Sequence, residues 1–204
     1  MSKNREKIIK LILTGIFAGM AVILMVFFEF PLPFFPSFYQ IDFSDLPALV
    51  AGVFIGPVYG ALVVVVKILM YLIMKPSITA YVGELASVLI SLSYILPISL
   101  INKYMKNKKK VIISLIIGTI CISFAGGLLN YFLLIPAYSK YMELPLEVII
   151  GIGQDIIPAI KNLFTFVLLA SVPFNLFKGI VVSILYYFIH RILYDKFSLV
   201  KKGE

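Results

Sequence analysis

An asparagine and a lysine three residues apart, Asn175 and Lys178, interrupt an apolar segment that runs from Phe164 to Leu193. Residues at this spacing share one face of a helix. A lysine in hydrocarbon costs about 2.5–3.5 kcal/mol on insertion scales, so a side chain kept there faces a cavity, a partner or a ligand. The pair therefore indicates a binding site in which the amide can donate and accept hydrogen bonds and the ammonium can donate them.

The composition places this pair in a membrane. Hydrophobic residues make up 61% of the 204 residues, charged residues make up 14%, and the mean hydropathy is +1.05. A soluble domain carries about 25% charged residues. We expect a single membrane-embedded domain over residues 1–204. The single cysteine, Cys121, argues against a disulfide framework, and the single histidine, His190, argues against a histidine metal site.

The basic residues lie beside the apolar segments, which is not the pattern of a nucleic-acid-binding surface. Thirteen of the eighteen form three clusters, which are Lys3, Arg5, Lys7 and Lys10; Lys103, Lys106, Lys108, Lys109 and Lys110; and Arg191, Lys196, Lys201 and Lys202. The positive-inside rule predicts that all three clusters, and hence both termini, are cytoplasmic.

An even number of crossings must then separate each pair of clusters. Three apolar stretches lie between the first two clusters, at 11–28, 46–74 and 81–101. Parity is restored if the middle stretch is two helices broken at Gly56-Pro57, where helix is disfavoured. The first of these helices is short, at about 15 Å against a membrane core of about 30 Å.

The remainder of the chain supplies two more spans. We expect a fifth span over 111–134, breaking at Pro136, and a sixth over 173–194. The more polar segment 146–171 is expected to connect them at the outer face, with an interfacial helix. The sequence thus predicts an all-α integral membrane protein with six transmembrane helices, the second of them short, and both termini cytoplasmic.

Polar side chains from four of these spans fall at one depth near the outer face, and they are Lys67, Glu84, Asn130, Asn175 and Lys178. A mostly apolar pocket for a flat polar solute needs such a set. Three of them also have purely structural explanations. Lys67 could snorkel or pair with Glu84, Glu84 could complement a helix dipole, and Asn130 could join two helices.

Two further segments have two explanations each. The loop 30–45 is rich in proline and aromatic residues, which suits a stiff lid or an interfacial aromatic belt. Within it, Ser44 or Asp45 could be an ordinary helix start. In span one, Thr14 with Ala18 and Gly15 with Gly19 have a spacing that permits close helix approach, within the bundle or to a partner.

These residues together resemble the riboflavin-binding S components of energy-coupling factor (ECF) transporters. The resemblance is carried, in order along the chain, by Phe35-Pro-Ser-Phe38, Asp42-Phe-Ser-Asp-Leu-Pro-Ala48, Gly56-Pro57, Gly83-Glu84, Leu129-Asn-Tyr131, Pro136-Ala-Tyr138 and Pro173-Phe-Asn-Leu-Phe-Lys-Gly179. It implies a six-helix subunit of the prokaryotic cell membrane that captures riboflavin at the outer face. It also implies docking onto a transmembrane coupling protein and two cytoplasmic ATPases.

The resemblance also assigns residues. It implies that the polar flavin contacts are Glu84, Asn130, Asn175 and Lys178, and that the loop covering the pocket contains Asp42, Phe43 and Ser44. The motif that meets the coupling protein would fall on Thr14 and Ala18, with Gly15 and Gly19 as the other possibility.

Other functions remain open at this stage. The ligand could be FMN or another vitamin, because Lys67 and Lys178 would tolerate a phosphate. An intramembrane enzyme could use Glu84 or Asp42 as acid or base. The sequence contains no Walker A motif, so we expect no ATPase activity, and we expect no cofactor.

Overall fold

The protein is described by a computed structural model that covers residues 3–77 and 79–202, with side chains described for residues 4–77 and 79–193. The cluster residues Lys3, Lys196, Lys201 and Lys202 therefore lie outside the described side chains. The elements, in chain order, are α1 Lys3–Phe27, β1 Phe30–Pro31, β2 Gln40–Ile41, α2 Asp45–Phe54, α3 Pro57–Met74, α4 Val82–Tyr104, α5 Lys110–Leu129, π1 Asn130–Leu134, α6 Ile135–Tyr141, α7 Leu146–Ile156, α8 Leu163–Phe166, π2 Val167–Ser171 and α9 Val172–Lys202. Strands β1 and β2 form an antiparallel hairpin.

Five helical stretches in the described chain are long and apolar enough to cross a membrane. They are Asn4–Phe27, Pro57–Met74, Val82–Tyr104, Lys110–Tyr141 and Leu163–Leu193. Helix α2 is also apolar, but it has only 10 residues and is shorter than these five. The predicted all-α membrane fold with a short second helix is confirmed, as is the break at Gly56-Pro57. Gly56 has a φ of 145°, which favours glycine, and α3 begins at Pro57.

The last two spans have different boundaries from those predicted. Helix α5 does not break at Pro136 but continues through π1 into α6. The sixth span begins at Leu163, not at Pro173, and passes through π2 into α9. In both cases the proline is the second residue after a π turn. Widened turns of this kind are where a helix accommodates an interruption of its regular hydrogen bonds.

The connector between these spans is correspondingly shorter than predicted. Helix α7 occupies the middle of this connector. The connector ends at Asn162, which caps α8: the side-chain oxygen of Asn162 accepts a hydrogen bond from the backbone N–H of Thr165 at 2.9 Å. This satisfies a donor that the first turn of a helix leaves unpaired. The sixth span can therefore begin at Leu163, ten residues before Pro173, where the sequence had predicted its start.

The two ends of the bundle differ. We call the end with the β1–β2 hairpin the hairpin end, and the end with the lysine-rich α4–α5 turn the basic end. Toward the basic end, α2 packs between α1, α3 and α4 around a core of small and branched side chains, including Ala18, Ala48 and Val63. A Cβ on Gly60 of α3 would lie 2.7 Å from the Cα of Gly52 in α2, so these two helices approach closely.

The short length of α2 leaves space at the hairpin end. Its first residue, Asp45, contacts Lys67 of α3. Lys67 lies ten residues after the start of α3, about 15 Å along the helix axis. Helix α2 therefore fills only the basic half of the bundle, and the other half of its path contains the chain that descends from the hairpin. A cavity lies beside this descending chain.

Candidate functional site

The cavity at the hairpin end is lined by residues from α1, the hairpin, α3, α4, π1, α6 and α9. Including its open mouth, it has a volume of about 1040 Å³. Five residues singled out from the sequence line it, and they are Asp42, Glu84, Asn130, Asn175 and Lys178. Tyr39, Tyr71, Tyr138 and Phe174 add aromatic surface. Apolar walls with a few converging polar groups are typical of small-molecule sites.

The floor of the cavity contains a buried cluster of four charges. The Lys178 ammonium lies 3.0 Å from a carboxylate oxygen of Asp42 and 3.5 Å from one of Asp45. The other carboxylate oxygen of Asp45 lies 2.7 Å from the ammonium of Lys67. Two lysines and two aspartates thus balance each other, as buried charges must. We call these four residues the floor cluster.

Hydroxyl groups complete the floor cluster. Lys67 donates to the Ser44 hydroxyl at 2.7 Å, and the Ser91 hydroxyl donates to Asp45 at 2.6 Å. The backbone N–H of Ser44 donates to Asp42 at 2.8 Å. These bonds hold the first residues of α2 and the end of the hairpin chain against α3 and α4.

Three residues predicted for the pocket do not line it. Lys67 is fully buried below the floor, and it pairs with Asp45, not with Glu84 and not with bulk solvent. Ser44 is also fully buried, and Phe43 packs against the apolar core. The sequence predicted Lys67 at one level with Glu84 and open to the outside, which is wrong, because Lys67 is fully buried against Asp45. Asp45 reaches Lys67 only through the descent of the hairpin chain, so local patterns could not identify this partner.

Two asparagines, one in π1 and one in α9, line one wall of the cavity. Each donates from its amide to a backbone carbonyl one turn earlier, Asn130 to Gly126 at 2.7 Å and Asn175 to Ser171 at 2.8 Å. A Cβ on Gly126 would lie 2.5 Å from the Asn175 side chain, so this glycine makes room for the amide. Each amide therefore has a fixed orientation, with an N–H still available on each and hydrogen-bonding capacity on the carbonyl oxygen.

Tyr39, in the hairpin loop, binds to this wall and was not predicted as a site residue. Its hydroxyl donates to the side-chain oxygen of Asn130 at 2.9 Å and lies 2.5 Å from the Ser171 hydroxyl. Its ring stacks on Phe174 at 5.0 Å between centroids. Phe38 stacks on Phe166 in the same way, at 6.2 Å. In the sequence Tyr39 is one of several aromatic residues in a loop, and nothing there distinguishes an anchor from an interfacial ring.

Two glutamates lie at the mouth. Glu84, in the first turn of α4, accepts hydrogen bonds from the hydroxyls of Ser77 and Thr79, each at 3.0 Å. Glu29, between α1 and the hairpin, accepts a long hydrogen bond of 3.4 Å from Tyr71. Partial burial, followed by the nearby Asp42 carboxylate, raises the pKa of Glu29 above its usual value.

The small residues of α1 divide between two faces. Thr14 and Ala18 are buried within the bundle, and Thr14 donates to the backbone carbonyl of Lys10 at 2.8 Å. A Cβ on Gly15 or Gly19 would meet no other atom within 4 Å. The pair that remains on an open face is therefore Gly15 and Gly19.

Comparison with known proteins agrees with this architecture. Residues 9–190 match the family model "ECF transporter, substrate-specific component". The chain is 35% identical to riboflavin transporter RibU of Staphylococcus aureus, over 92% of each chain. It is 32% identical to riboflavin transporter FmnP of Bacillus subtilis, over 88% of this chain and 89% of that protein.

A solved structure of the S component of a bacterial ECF transporter matches with a TM-score of 0.71 and 31% identity, over 96% of this chain and 99% of the other. Fold and cavity thus define a multi-pass membrane subunit that binds a small solute. The chain belongs to the family of substrate-specific (S) components of ECF transporters.

Proposed function

We propose that this S component binds riboflavin in the cavity at the hairpin end. The observation that carries the proposal is the arrangement of Glu84, Asn130, Asn175 and Lys178 around one cavity with aromatic walls. Two relatives that are at least 32% identical along nearly their whole length are named riboflavin transporters, which supports the same ligand.

The chemistry of the wall suits the ring of a flavin. The pyrimidine edge of the isoalloxazine presents two carbonyl acceptors with an N–H donor between them. Asn130 and Asn175 can each offer an N–H and a carbonyl oxygen, and Lys178 has a donor beyond those directed at its aspartates. The rings of Tyr39 and Phe174 would cover a flat tricycle. Glu84 would accept hydrogen bonds from ribityl hydroxyls.

Binding can be tested by the quenching of riboflavin fluorescence on titration with the purified protein. We expect Asn175→Ala to raise the Kd about tenfold, because it removes one or two hydrogen bonds to the ligand. The matched control is Asn102→Ala. Asn102 is also buried, and it donates to the Ser114 hydroxyl at 2.6 Å, but it does not line the cavity.

Three outcomes separate these claims. Loss of affinity in the Asn175 variant alone supports the site. Equal affinity in both variants and in the parent protein would place riboflavin elsewhere. No quenching by the parent protein would refute riboflavin as the ligand.

We further propose that the hairpin end faces the outside of a prokaryotic cell membrane and that both chain termini are cytoplasmic. The lysines of the α4–α5 turn support this orientation through the positive-inside rule. From the ECF family to which the chain belongs, we expect uptake to use a transmembrane coupling protein and two cytoplasmic ATPase subunits. The sequence contains no Walker A motif with which the chain itself would bind ATP.

The open face of α1 is the proposed contact with the coupling protein. Gly15 and Gly19 leave space for a second helix to approach closely. We expect Gly15→Leu to reduce riboflavin uptake by the assembled transporter at least tenfold while flavin quenching by the isolated subunit is retained. Uptake at the parent rate would place the coupling protein on another face.

A further inference from the structure

We propose that Glu29 is a specificity-determining residue, whose carboxylate at the mouth of the cavity disfavours flavin 5′-phosphate (FMN) relative to an uncharged flavin. The inference rests on the proposed function, since it takes a flavin as the ligand. It concerns a discrimination that the sequence left open, because two lysines near the pocket had appeared able to receive a phosphate.

Neither lysine offers a phosphate an uncompensated charge. Lys67 is enclosed beneath the floor, 2.7 Å from Asp45. Lys178 lines the cavity, but Asp42 lies 3.0 Å from its ammonium and Asp45 lies 3.5 Å away. The floor cluster is neutral as a whole, so a phosphate directed at the floor would find no net positive charge there.

The mouth of the cavity is even less favourable for a phosphate than the floor. Glu29 and Glu84 both line the cavity, and the hydrogen bonds they accept come from the uncharged hydroxyls of Tyr71, Ser77 and Thr79. The rim also has a cation, Lys75, but it is exposed. Its ammonium donates to the backbone carbonyl of Val26 at 3.4 Å and lies over the Tyr71 ring, 5.7 Å from the centroid.

The charges that line the cavity therefore have a negative sum. Among its lining residues in the described part of the chain, three carboxylates, Glu29, Asp42 and Glu84, face a single ammonium, that of Lys178. A phosphate monoester brings nearly two negative charges, and water screens them poorly inside a cavity. Electrostatic repulsion would therefore weaken the binding of FMN whether its phosphate points to the floor or to the mouth. The neutral ribityl chain of riboflavin brings no charge, and its hydroxyls can donate to the same carboxylates.

The test is a pair of fluorescence titrations, with riboflavin and with FMN, at low salt and at pH 8, where a phosphate monoester carries nearly two negative charges. The quantity measured is the ratio of the FMN Kd to the riboflavin Kd. We expect a ratio of about 10 or more in the parent protein. Glu29→Gln should lower the ratio about 3- to 10-fold, and Glu29→Lys should lower it further.

The structure offers a matched control and a check on mechanism. Lys103→Gln also removes one charge, but Lys103 is exposed at the basic end and does not line the cavity, so it should change the ratio by less than about twofold. Raising the salt concentration should reduce the ratio in the parent protein. Glu29 lies outside the helices, so its variants are expected to fold, and their melting temperatures verify this.

The possible results are distinct. Equal affinities for the two flavins in the parent protein would overturn the inference, as would a ratio unaffected by Glu29→Lys. Riboflavin binding with either of these results would leave the proposed function intact. If neither flavin binds, the proposed function fails and the inference fails with it.

Discussion

The basic half of the bundle and the hairpin half contain the same long helices but pack them differently. In the basic half, α2 lies against its neighbours through alanines and glycines, and the core is apolar. In the hairpin half, α2 is absent, two helices are widened by π1 and π2, and the cavity has charged and amide-bearing side chains between aromatic walls. One half is close-packed and the other is open.

The boundary between the halves is the floor cluster. Asp45 begins α2 in the basic half, and through Lys178 it also contributes to the floor of the cavity. Ion pairs therefore join the close-packed layer to the polar site, in addition to the apolar contacts that Phe43 makes with the core. This predicts that changes below the floor will alter stability, and that changes above it will alter ligand binding.

The largest effect is expected at the boundary itself. Lys67→Met leaves Asp45 buried without its closest cation and should lower the free energy of unfolding by about 3–5 kcal/mol. Thermal or denaturant unfolding in detergent measures this. Combining Lys67→Met with Asp45→Asn should restore part of the loss, because the buried charge is removed as well. A single variant as stable as the parent would mean that the pair does not hold the boundary.

The close packing of the basic half can be tested with one methyl group. Gly60→Ala places a Cβ 2.7 Å from the backbone of Gly52, so the helices must separate, and we expect a loss of about 1–3 kcal/mol in the free energy of unfolding. Gly15→Ala is the control, since its Cβ meets nothing within 4 Å, and it should raise the free energy of unfolding by up to about 1 kcal/mol because alanine favours helix over glycine. A similar loss of stability in both variants would show that the contact between Gly60 and Gly52 is not the cause.

One hydrogen-bonded tyrosine in each half allows ligand binding and stability to be tested separately. Tyr39→Phe removes the bonds from the hairpin to Asn130 and Ser171, so riboflavin should dissociate about 5- to 10-fold faster in stopped-flow fluorescence. Tyr94→Phe removes a bond of 2.7 Å to Ser183 in the basic half. It should cost about 1 kcal/mol of stability and leave the dissociation rate unchanged. Equal rates for both variants would show that Tyr39 does not restrain the hairpin.

The smallest effect is expected at the surface of the basic half. Lys10 and Glu6 form an exposed ion pair one turn apart on α1. Lys10→Gln should change the free energy of unfolding by less than about 0.5 kcal/mol. The same unfolding measurement then compares the exposed ion pair of Lys10 with the buried ion pair of Lys67. A loss of stability in Lys10→Gln as large as that in Lys67→Met would contradict the view that only the buried pair stabilises the fold.

The sequence predicted the basic half well and the hairpin half in part. Charge parity and the break at Gly56-Pro57 were enough to find the short α2, because glycine and proline favour the turn that follows it. The same reasoning brought Glu84, Asn130, Asn175 and Lys178 to one level, and all four line one cavity in the structure. Their contact with a ligand stays a prediction.

The errors have a common physical origin. Pro136 and Pro173 suggested helix ends, but tertiary packing around π1 and π2 carries both helices past them. The partner of Lys67 and the anchoring role of Tyr39 both depend on how the 30–45 segment folds back into the bundle. Contacts between residues far apart in the chain leave no trace in local patterns.

The neutrality of the floor cluster also has a consequence in an energised cell. A charge that moves through the membrane field gains or loses about 2.3 kcal/mol per 100 mV. Because two lysines and two aspartates are held within 3.5 Å of a partner, the cluster can move through that field as an uncharged unit. Any reorientation of the floor during uptake would then be insensitive to the membrane potential.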